Sequence, residues 1–289
     1  MKIDDIKKIC VVGAGNMGHQ ISLVCALAGY QTTCTDISEE QLNKAKGFVE
    51  KYLPDRVAKG KMTQEAANAA KANLRFTTSL ADAVGDVDFV IEAAVEKIEI
   101  KRKLFASLDE FAPPHAILAT NSSYIVSSKV ADATKRPAKV CNMHFFNPAL
   151  VMKCVEVVKG AHTSDETAEI TMELSRRLQK APVLLNKEVW GFLVNRILAR
   201  INQEALFLYD TGVASFEDID SAVVNALGHP MGPFRLMDLT GIDLAYHVRM
   251  GRYSELMDIG ERPSPSIVEK YVKGEFGQKV GKGFYDYKK

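Results

Sequence analysis

A spacing of three glycines directly after an apolar run constrains the fold of this chain more than any other feature. Gly13, Gly15 and Gly18 form the pattern G-x-G-x-x-G between residues 8–12, which are typical of a buried strand, and a stretch with apolar residues at helical spacing. The first glycine allows a tight turn, the second lets the backbone approach a pyrophosphate, and the third lets helix and strand pack closely. The free N–H groups at the start of such a helix attract phosphate. The pattern predicts a dinucleotide-binding loop with contacts from Gly13, Gly15, Asn16, Met17 and Gly18.

An acidic residue at the end of the next β-rich run, residues 31–36, fits the same arrangement. Asp36 would accept hydrogen bonds from both hydroxyls of an adenosine ribose, and its charge would repel a 2′-phosphate, which favours NAD over NADP. The loop alone does not separate NAD from FAD or an S-adenosyl donor, and a turn without any ligand would show the same glycines. The residues downstream decide, because a flavin or a methyl donor needs no positioned proton carrier.

The first half of the chain alternates strand-like and helix-like segments. Further strand candidates are residues 87–91, 116–119, 139–143 and 154–158, and helical patterns cover residues 17–28, 38–59 and 63–72. Strands separated by helices imply a mainly parallel sheet that is covered on both faces. The predicted fold class is therefore α/β, with an N-terminal Rossmann-type dinucleotide-binding domain.

The pattern becomes helical near residue 190. Residues 192–209 form one long helical pattern with an apolar stripe, and residues 215–218 look like an acidic capping box for a helix that stops at Gly228. No convincing strand follows. We predict an NAD-binding domain over residues 1–186 and an all-helical domain over residues 187–289 that binds substrate. The apolar stripe exceeds what one small domain needs, which predicts a homodimer through the C-terminal domain.

Composition argues against several partners and sites. A formal net charge of +1 provides no field for a polyanion, so nucleic acid is not an expected partner. The N-terminus leads straight into a strand with no room for a signal peptide, and no apolar run approaches the roughly 18 residues of a membrane span. The five cysteines are scattered without a C-x-x-C pair. We therefore expect reduced thiols, no metal site, no membrane and a cytoplasmic protein.

A histidine after the apolar run 139–143 is the candidate for proton transfer. His144 stands where the active sites of open sheets form, beyond the C-terminal end of a strand. Glu156 lies in the next apolar run, where a buried acid needs a partner. If the chain turns back at residues 148–152, Glu156 meets the ring nitrogen that faces away from substrate, fixes the tautomer and favours the imidazolium. The alternative is a hydrogen-bonded core histidine.

Seven motifs in this order resemble the 3-hydroxyacyl-CoA dehydrogenase family, and the length and layout are most similar to its short bacterial 3-hydroxybutyryl-CoA branch. The resemblance runs from residue 8 to residue 287. The motifs are the glycine loop, I-E-A-A-V-E at 91–96, N-S-S at 121–123, H-F-F-N-P at 144–148, G-F-L-V-N-R at 191–196, G-H-P-M-G-P-F at 228–234 and G-K-G-F-Y at 281–285.

The resemblance implies interconversion of (3S)-3-hydroxyacyl-CoA and 3-oxoacyl-CoA with NAD, most simply on a four-carbon acyl group. His144 would take the proton of the 3-hydroxyl, Glu156 would pair with it, Ser123 would bond the reacting oxygen, and Asn195 would help to hold the substrate. The further cofactor contacts that the family implies are Glu96, Lys101, Ser123, Asn147 and Lys279. Each residue also has a structural alternative: Lys101 and Lys279 as solvated surface charges, Asn195 as a helix-face amide, and Ser123 as a turn residue.

A coenzyme A thioester carries phosphates that need cations. Four cations cluster after Asp36, where this family extends a helical arm towards the coenzyme; they are Lys51, Arg56, Lys59 and Lys61. An ordinary solvated helix face would look the same.

Departures from the family pattern bear on the substrate. Trp190 stands where proline is usual, Tyr124 replaces a second serine, residues 149–150 replace a small residue and proline, and Arg235 stands where an acid or apolar residue is common. Two other functions stay open. One is a dehydrogenase of a free hydroxy acid, with Arg235 or a lysine gripping the carboxylate, and the other is a non-catalytic dinucleotide-binding relative.

Overall fold

The structure, a computed structural model, describes residues 2–287. Within those residues eight strands form one sheet in the order β3-β2-β1-β4-β5-β6-β7-β8. Every neighbouring pair is parallel except β6 and β7. The strands are β1 (Lys8–Val12), β2 (Gln31–Thr35), β3 (Leu74–Thr77), β4 (Phe89–Glu92), β5 (Ile117–Thr120), β6 (Val140–Phe145), β7 (Cys154–Val158) and β8 (Ala181–Leu185). The predicted α/β class with a mainly parallel sheet is confirmed.

The chain divides into two compact units, one ending at Leu193 and the other beginning at Val194. The first unit holds the sheet and the helices α1 (Asn16–Leu27), α2 (Glu39–Ala58), α3 (Gln64–Ala72), α4 (Leu80–Val84), α5 (Ile98–Phe111), α6 (Ser128–Ala131) and α7 (Asp165–Arg177). The described part of the second unit is helical, with α8 (Val194–Asp210), α9 (Phe216–Leu227), α10 (Pro233–Thr240), α11 (Ile242–Leu256) and α12 (Pro265–Val272).

Alternate residues of the central strands pack on opposite faces of the sheet. On β1, Ile9 and Val11 join one buried cluster, whereas Cys10 and Val12 join the other. Both faces are therefore covered, which explains why the central strands have nearly continuous apolar sequences rather than an alternation of apolar and polar residues.

The chain reverses its direction of travel across the sheet at β1. From β1 it moves outward to β2 and β3, then returns to pair β4 against the other side of β1. Such a switch point leaves a crevice beyond the carboxyl ends of the strands, where ligands of open α/β sheets bind. Gly13 follows β1 there, and its N–H donates to Thr35 O at 2.7 Å. Two predicted site features, the glycine loop and Asp36, are thus brought to one edge, where Glu92 ends β4.

The antiparallel pair β6 and β7 brings a histidine and a glutamate side by side. The turn predicted at residues 148–152 is present, and Met152 N donates to Pro148 O at 2.9 Å. The register places His144 opposite Glu156. Opposed residues of neighbouring strands project to the same face of the sheet, so the register itself directs both side chains to one place.

Two buried carboxylates organise the second unit. Asp238, with no exposed surface, accepts the N–H groups of Phe284 (2.8 Å) and Tyr285 (2.9 Å). Asp220 accepts the N–H groups of Phe234 (2.8 Å) and Arg235 (3.0 Å). These bonds hold the C-terminal segment and the start of α10 against a core of aromatic and aliphatic side chains.

The differences from the predicted elements have local causes. The helix predicted from residue 192 begins at Val194, because Gly191 and Phe192 have positive φ angles of 73° and 50°, which a right-handed helix does not accept. The edge strands β3 and β8 were not predicted. Their residues are mostly half-exposed, so they lack the apolar run that marks the inner strands.

Two glycines of the loop should respond in opposite ways to a methyl group. A Cβ on Gly18 would lie 1.7 Å from Gly13 O, whereas a Cβ on Gly15 would meet nothing within 4 Å. Gly18→Ala should therefore lower the free energy of unfolding by about 1–3 kcal/mol. Gly15→Ala should unfold like the wild type but lose NADH affinity roughly tenfold or more, because the methyl fills the space of the pyrophosphate. Urea unfolding and NADH titration of both variants check this, and a stable Gly18→Ala protein would contradict it.

Candidate active site

The loop after β1 presents backbone N–H groups rather than side chains. Gly15 is the N-cap of α1 and contributes no side-chain cap, so the first N–H groups of the helix remain available to an anion. His19 Nδ1 lies 2.7 Å from Gly15 O, which holds that carbonyl inward. Burial lowers the pKa of His19 despite this contact, so the ring is a neutral N–H donor at neutral pH. Sequence reasoning missed His19, because an isolated histidine on a helix gives no signal.

Asp36 faces the glycine loop from the end of β2. Its Oδ2 accepts the N–H of Ala14 at 2.7 Å, and its Oδ1 accepts the N–H of Ser38 at 2.9 Å. These bonds fix the plane of the carboxylate beside the loop. The remaining lone pairs of both oxygens are suited to a diol, as predicted for a ribose.

Asn16 and Asn147 connect the two loops at the carboxyl edge of the sheet. Asn16 Nδ2 donates to Asn147 Oδ1 at 3.1 Å, and both side chains are accessible. Met17 is half-buried and packs against the core below the loop. The structure thus brings the glycine loop next to Asp36 and to Asn147. Their contacts with a cofactor stay predictions.

Ser123, His144 and Glu156 form a continuous hydrogen-bonded line. Glu156 Oε2 lies 2.8 Å from His144 Nδ1, and His144 Nε2 lies 3.0 Å from Ser123 Oγ. His144 is 3% exposed and Glu156 is 0% exposed. A carboxylate on Nδ1 makes that nitrogen the N–H donor, which leaves Nε2 of the neutral ring with a lone pair that can accept a proton. The arrangement is that of a general base with an oriented tautomer.

The loop that carries Ser123 is held by a network of side chains. Ser122 Oγ donates to Glu96 Oε1 and accepts the N–H of Ile125 at 2.8 Å. Asn121 Oδ1 accepts the N–H of Phe145 at 2.8 Å. The end of β5 is therefore tied to the end of β6, and this fixes the separation of Ser123 from His144.

A buried ion pair lies beneath this loop. Lys101 and Glu92 are both 0% exposed, and Lys101 Nζ lies 2.6 Å from Glu92 Oε1. Glu92 also accepts bonds from Thr120 Oγ1 at 2.6 Å and from the N–H of Ala94 at 2.7 Å. The alternative of Lys101 as a solvated surface charge is wrong. Its ammonium lies between Glu92 and Glu96, the latter at 3.4 Å, and its contact with a cofactor stays a prediction.

Two predicted residues belong to the second unit. Asn195 is the second residue of α8 and is half-buried. Lys279 is half-exposed, and its Nζ lies 2.6 Å from the carboxylate of Asp243. An exposed ion pair of this kind agrees with the surface alternative for Lys279 as well as with a ligand contact.

The predicted coenzyme A cations lie on the last turns of α2 and just beyond. Lys59 pairs with Asp55 at 2.9 Å, and the Arg56 guanidinium lies 5.7 Å from the centre of the Tyr52 ring. Lys51 and Lys61 are exposed. The cations share one end of a helix, but no contact distinguishes a phosphate site from a solvated face.

The remaining chemistry of the described residues is simple. All five cysteines are free thiols, and burial raises the pKa of Cys25 and Cys141 to about 12. Among residues 2–287 no three His, Cys, Asp or Glu side chains are arranged to hold a metal ion. No described helix combines the length and the apolar character that crossing a membrane requires.

This chain is similar to known proteins over nearly its whole length. The family model described as "3-hydroxyacyl-CoA dehydrogenase, NAD binding domain" matches residues 8–189, and the one for the C-terminal domain matches residues 191–287. The human mitochondrial hydroxyacyl-coenzyme A dehydrogenase is 39% identical over 98% of this chain and 92% of its own length. The 3-hydroxybutyryl-CoA dehydrogenase of Clostridioides difficile is 38% identical over 98% of this chain and 100% of its own.

A solved structure shows the same fold throughout. The (S)-3-hydroxybutyryl-CoA dehydrogenase of Ralstonia eutropha superposes with a TM-score of 0.92 at 36% identity, covering 99% of this chain and 100% of the other. The chain therefore belongs to the 3-hydroxyacyl-CoA dehydrogenase family, with that family's NAD-binding domain followed by its C-terminal domain.

Proposed function

We propose that the protein interconverts (3S)-3-hydroxyacyl-CoA and 3-oxoacyl-CoA with NAD, and that its preferred substrate is 3-hydroxybutyryl-CoA. The observation that carries this proposal is the line from Ser123 through His144 to Glu156, because it holds a proton acceptor beside the crevice at the switch point. The relatives whose names specify a hydroxybutyryl-CoA substrate match this chain over nearly its whole length.

In the oxidation direction His144 Nε2 accepts the proton of the 3-hydroxyl. Ser123 Oγ, 3.0 Å from that nitrogen, donates to the same oxygen and holds it in line. NAD, when bound, would supply the acceptor for the hydride that leaves C3 as the C3–O bond becomes a carbonyl. The proton stays on the ring, where Glu156 stabilises the imidazolium. In the reverse direction the same ring returns the proton.

Burial strengthens this pair. A charge-assisted hydrogen bond between imidazolium and carboxylate is stronger than a neutral one, and water does not screen it in a site with so little exposed surface. When His144 gains a proton, the contact that strengthens most is therefore the one with Glu156.

The coenzyme and the assembly complete the proposal. Cations at the end of α2 hold the phosphates of coenzyme A; they are Lys51, Arg56, Lys59 and Lys61. Asn195 contributes a contact to the substrate. The homodimer forms through the second unit, supported by exposed apolar side chains such as Ile197 (55%), Phe207 (57%) and Leu244 (52%). We place the protein in the cytoplasm, supported by its free thiols.

Neither alternative function gains support. The guanidinium of Arg235, one candidate for gripping a free carboxylate, already packs on the Tyr285 ring, 3.9 Å from its centre, in a cation–π pair. A non-catalytic relative has no need for a buried histidine aligned between a serine and a glutamate.

The purified protein should oxidise NADH with acetoacetyl-CoA and not with free acetoacetate. Following NADH absorbance with each substrate at equal concentration checks this. Turnover that does not need the coenzyme would favour the free-acid alternative, and no turnover with either would favour the non-catalytic one.

Tyr124 and Trp190 should limit the length of the acyl chain. Their ring centres are 4.6 Å apart, and Tyr124 directly follows Ser123 in sequence. Burial, with a smaller contribution from the charge of Glu96, raises the pKa of Tyr124 to about 12, so the Tyr124 side chain is uncharged at neutral pH. Tyr124→Ser and Trp190→Pro should each raise the kcat/KM ratio of eight-carbon to four-carbon thioesters roughly tenfold. Tyr124→Phe, which keeps the ring, should not change it. Equal effects on all chain lengths would assign the pair to the core.

His144 and Glu156 should behave as one unit. His144→Gln should slow hydride transfer by roughly 10²–10⁴-fold, and Glu156→Gln by less, because the amide orients the ring without stabilising its charge. The double variant should be little worse than His144→Gln alone. Single-turnover rates of the four proteins check this. Fully multiplicative losses would mean that Glu156 acts elsewhere.

A further inference from the structure

The second oxygen of Glu156 binds the backbone at the end of the first unit. Glu156 Oε2 faces His144, while Oε1 accepts the N–H of Leu193 at 2.9 Å. Both carboxylate oxygens are therefore engaged, and the ring and a main-chain amide both help to set the plane of the carboxylate. The Leu193 side chain is 44% exposed, so only its N–H takes part.

The turn at residues 189–193 delivers that N–H in an unusual conformation. Phe192 N donates to Val189 O at 3.1 Å, which closes the turn. Gly191 and Phe192 follow each other with φ angles of 73° and 50°. Glycine adopts such angles freely, but a phenylalanine in the left-handed region is strained and persists only where its surroundings hold it there.

The surroundings that hold Phe192 are those of His144. The Phe192 ring has no exposed surface, and its centre lies 5.4 Å from that of the His144 ring in an edge-to-face arrangement. The centre of the Phe146 ring lies 4.7 Å from the centre of the same imidazole. One residue of the turn thus packs on the imidazole while the next binds its carboxylate partner.

We infer that residues 189–193 form a positioning element for the His144–Glu156 pair, which we call the 189–193 turn. The Leu193 N–H fixes the carboxylate so that Oε2 faces Nδ1, and the Phe192 ring limits rotation of the imidazole. In the free protein the turn therefore keeps Nε2 aimed at the place of the reacting oxygen. The catalytic consequence of this inference rests on the proposed function, whereas the orienting effect does not.

Replacing the Leu193 amide by an ester, through incorporation of the α-hydroxy analogue of leucine, removes the N–H donor and weakens the Phe192 carbonyl as an acceptor, while both side chains stay the same. Hydride transfer in single turnover should slow roughly tenfold, as expected for a lost hydrogen bond to a charged group, while NADH affinity stays that of the wild type. The same exchange at Leu178 is the matched control, because its N–H donates to Leu174 O at 2.9 Å at the end of α7. It should cost similar stability without slowing hydride transfer. Equal slowing by both esters would overturn the inference.

A measurement without substrate separates this inference from the proposed function. In protein labelled with ¹⁵N histidine, the His144 Nδ1 proton can be identified by its loss in His144→Gln. It should exchange with water several-fold faster in the Leu193 ester than in the wild type or the Leu178 ester, since a less constrained carboxylate releases it more often. Unchanged exchange would overturn the inference whether or not acetoacetyl-CoA is a substrate. A failed turnover assay would count against the proposed function alone.

Side-chain variants provide a second route. Leucine tolerates the left-handed conformation of Phe192 about as well as phenylalanine does, whereas a β-branched residue does not. Phe192→Val should therefore slow hydride transfer more than Phe192→Leu and accelerate exchange of the His144 proton. Equal rates and equal exchange in the two variants would show that the turn does not orient the pair.

Discussion

The Glu156 carboxylate and the His144 ring meet in the buried interior. The surrounding structure has to provide hydrogen-bond partners for that carboxylate. A carboxylate without exposed surface is stable only if its oxygens have partners. The partners of Glu156 include the imidazole of the opposite strand and the N–H of Leu193. The antiparallel register, the tight connection after β6 and the left-handed turn at the end of the first unit all serve this one group.

A second buried charge supports the other side of the same crevice. Lys101 lies between Glu92 and Glu96, and Glu96 accepts a bond from Ser122, the neighbour of Ser123. Removing one member of such a buried set leaves a charge without its counterpart, which is far more costly than losing a surface pair. The serine and the histidine are therefore placed by two networks, one beneath β4 and β5 and one across β6 and β7, and the bond from Phe145 N–H to Asn121 joins them.

The sequence was sufficient for the features whose signal is local or periodic. The glycine spacing predicted the loop, the inner strands had apolar runs, and an acid inside such a run predicted the partner of His144. Features formed by distant backbone atoms were not predictable in this way. The contact to Glu156 uses the backbone N–H of Leu193, which nearly every residue type would provide, so the sequence does not indicate it. The edge strands β3 and β8 are too exposed to show an apolar pattern. Lys101 lies among other charged residues in sequence, so its complete burial became visible only in the fold.

The proposed coenzyme A cations near the end of α2 lie at the surface, whereas His144 and Glu156 are buried. Salt therefore affects the two groups differently. Mobile ions reach the exposed cations at the end of α2 and weaken their attraction for any phosphate, and this effect grows as the Debye length shrinks. They do not reach the pair formed by His144 and Glu156, which has almost no accessible surface. Under the proposed function, ionic strength would thus act on capture of a charged substrate and leave the proton-transfer step alone. A cell whose salt content fluctuates would change how often this enzyme is occupied, but not how fast an occupied molecule reacts.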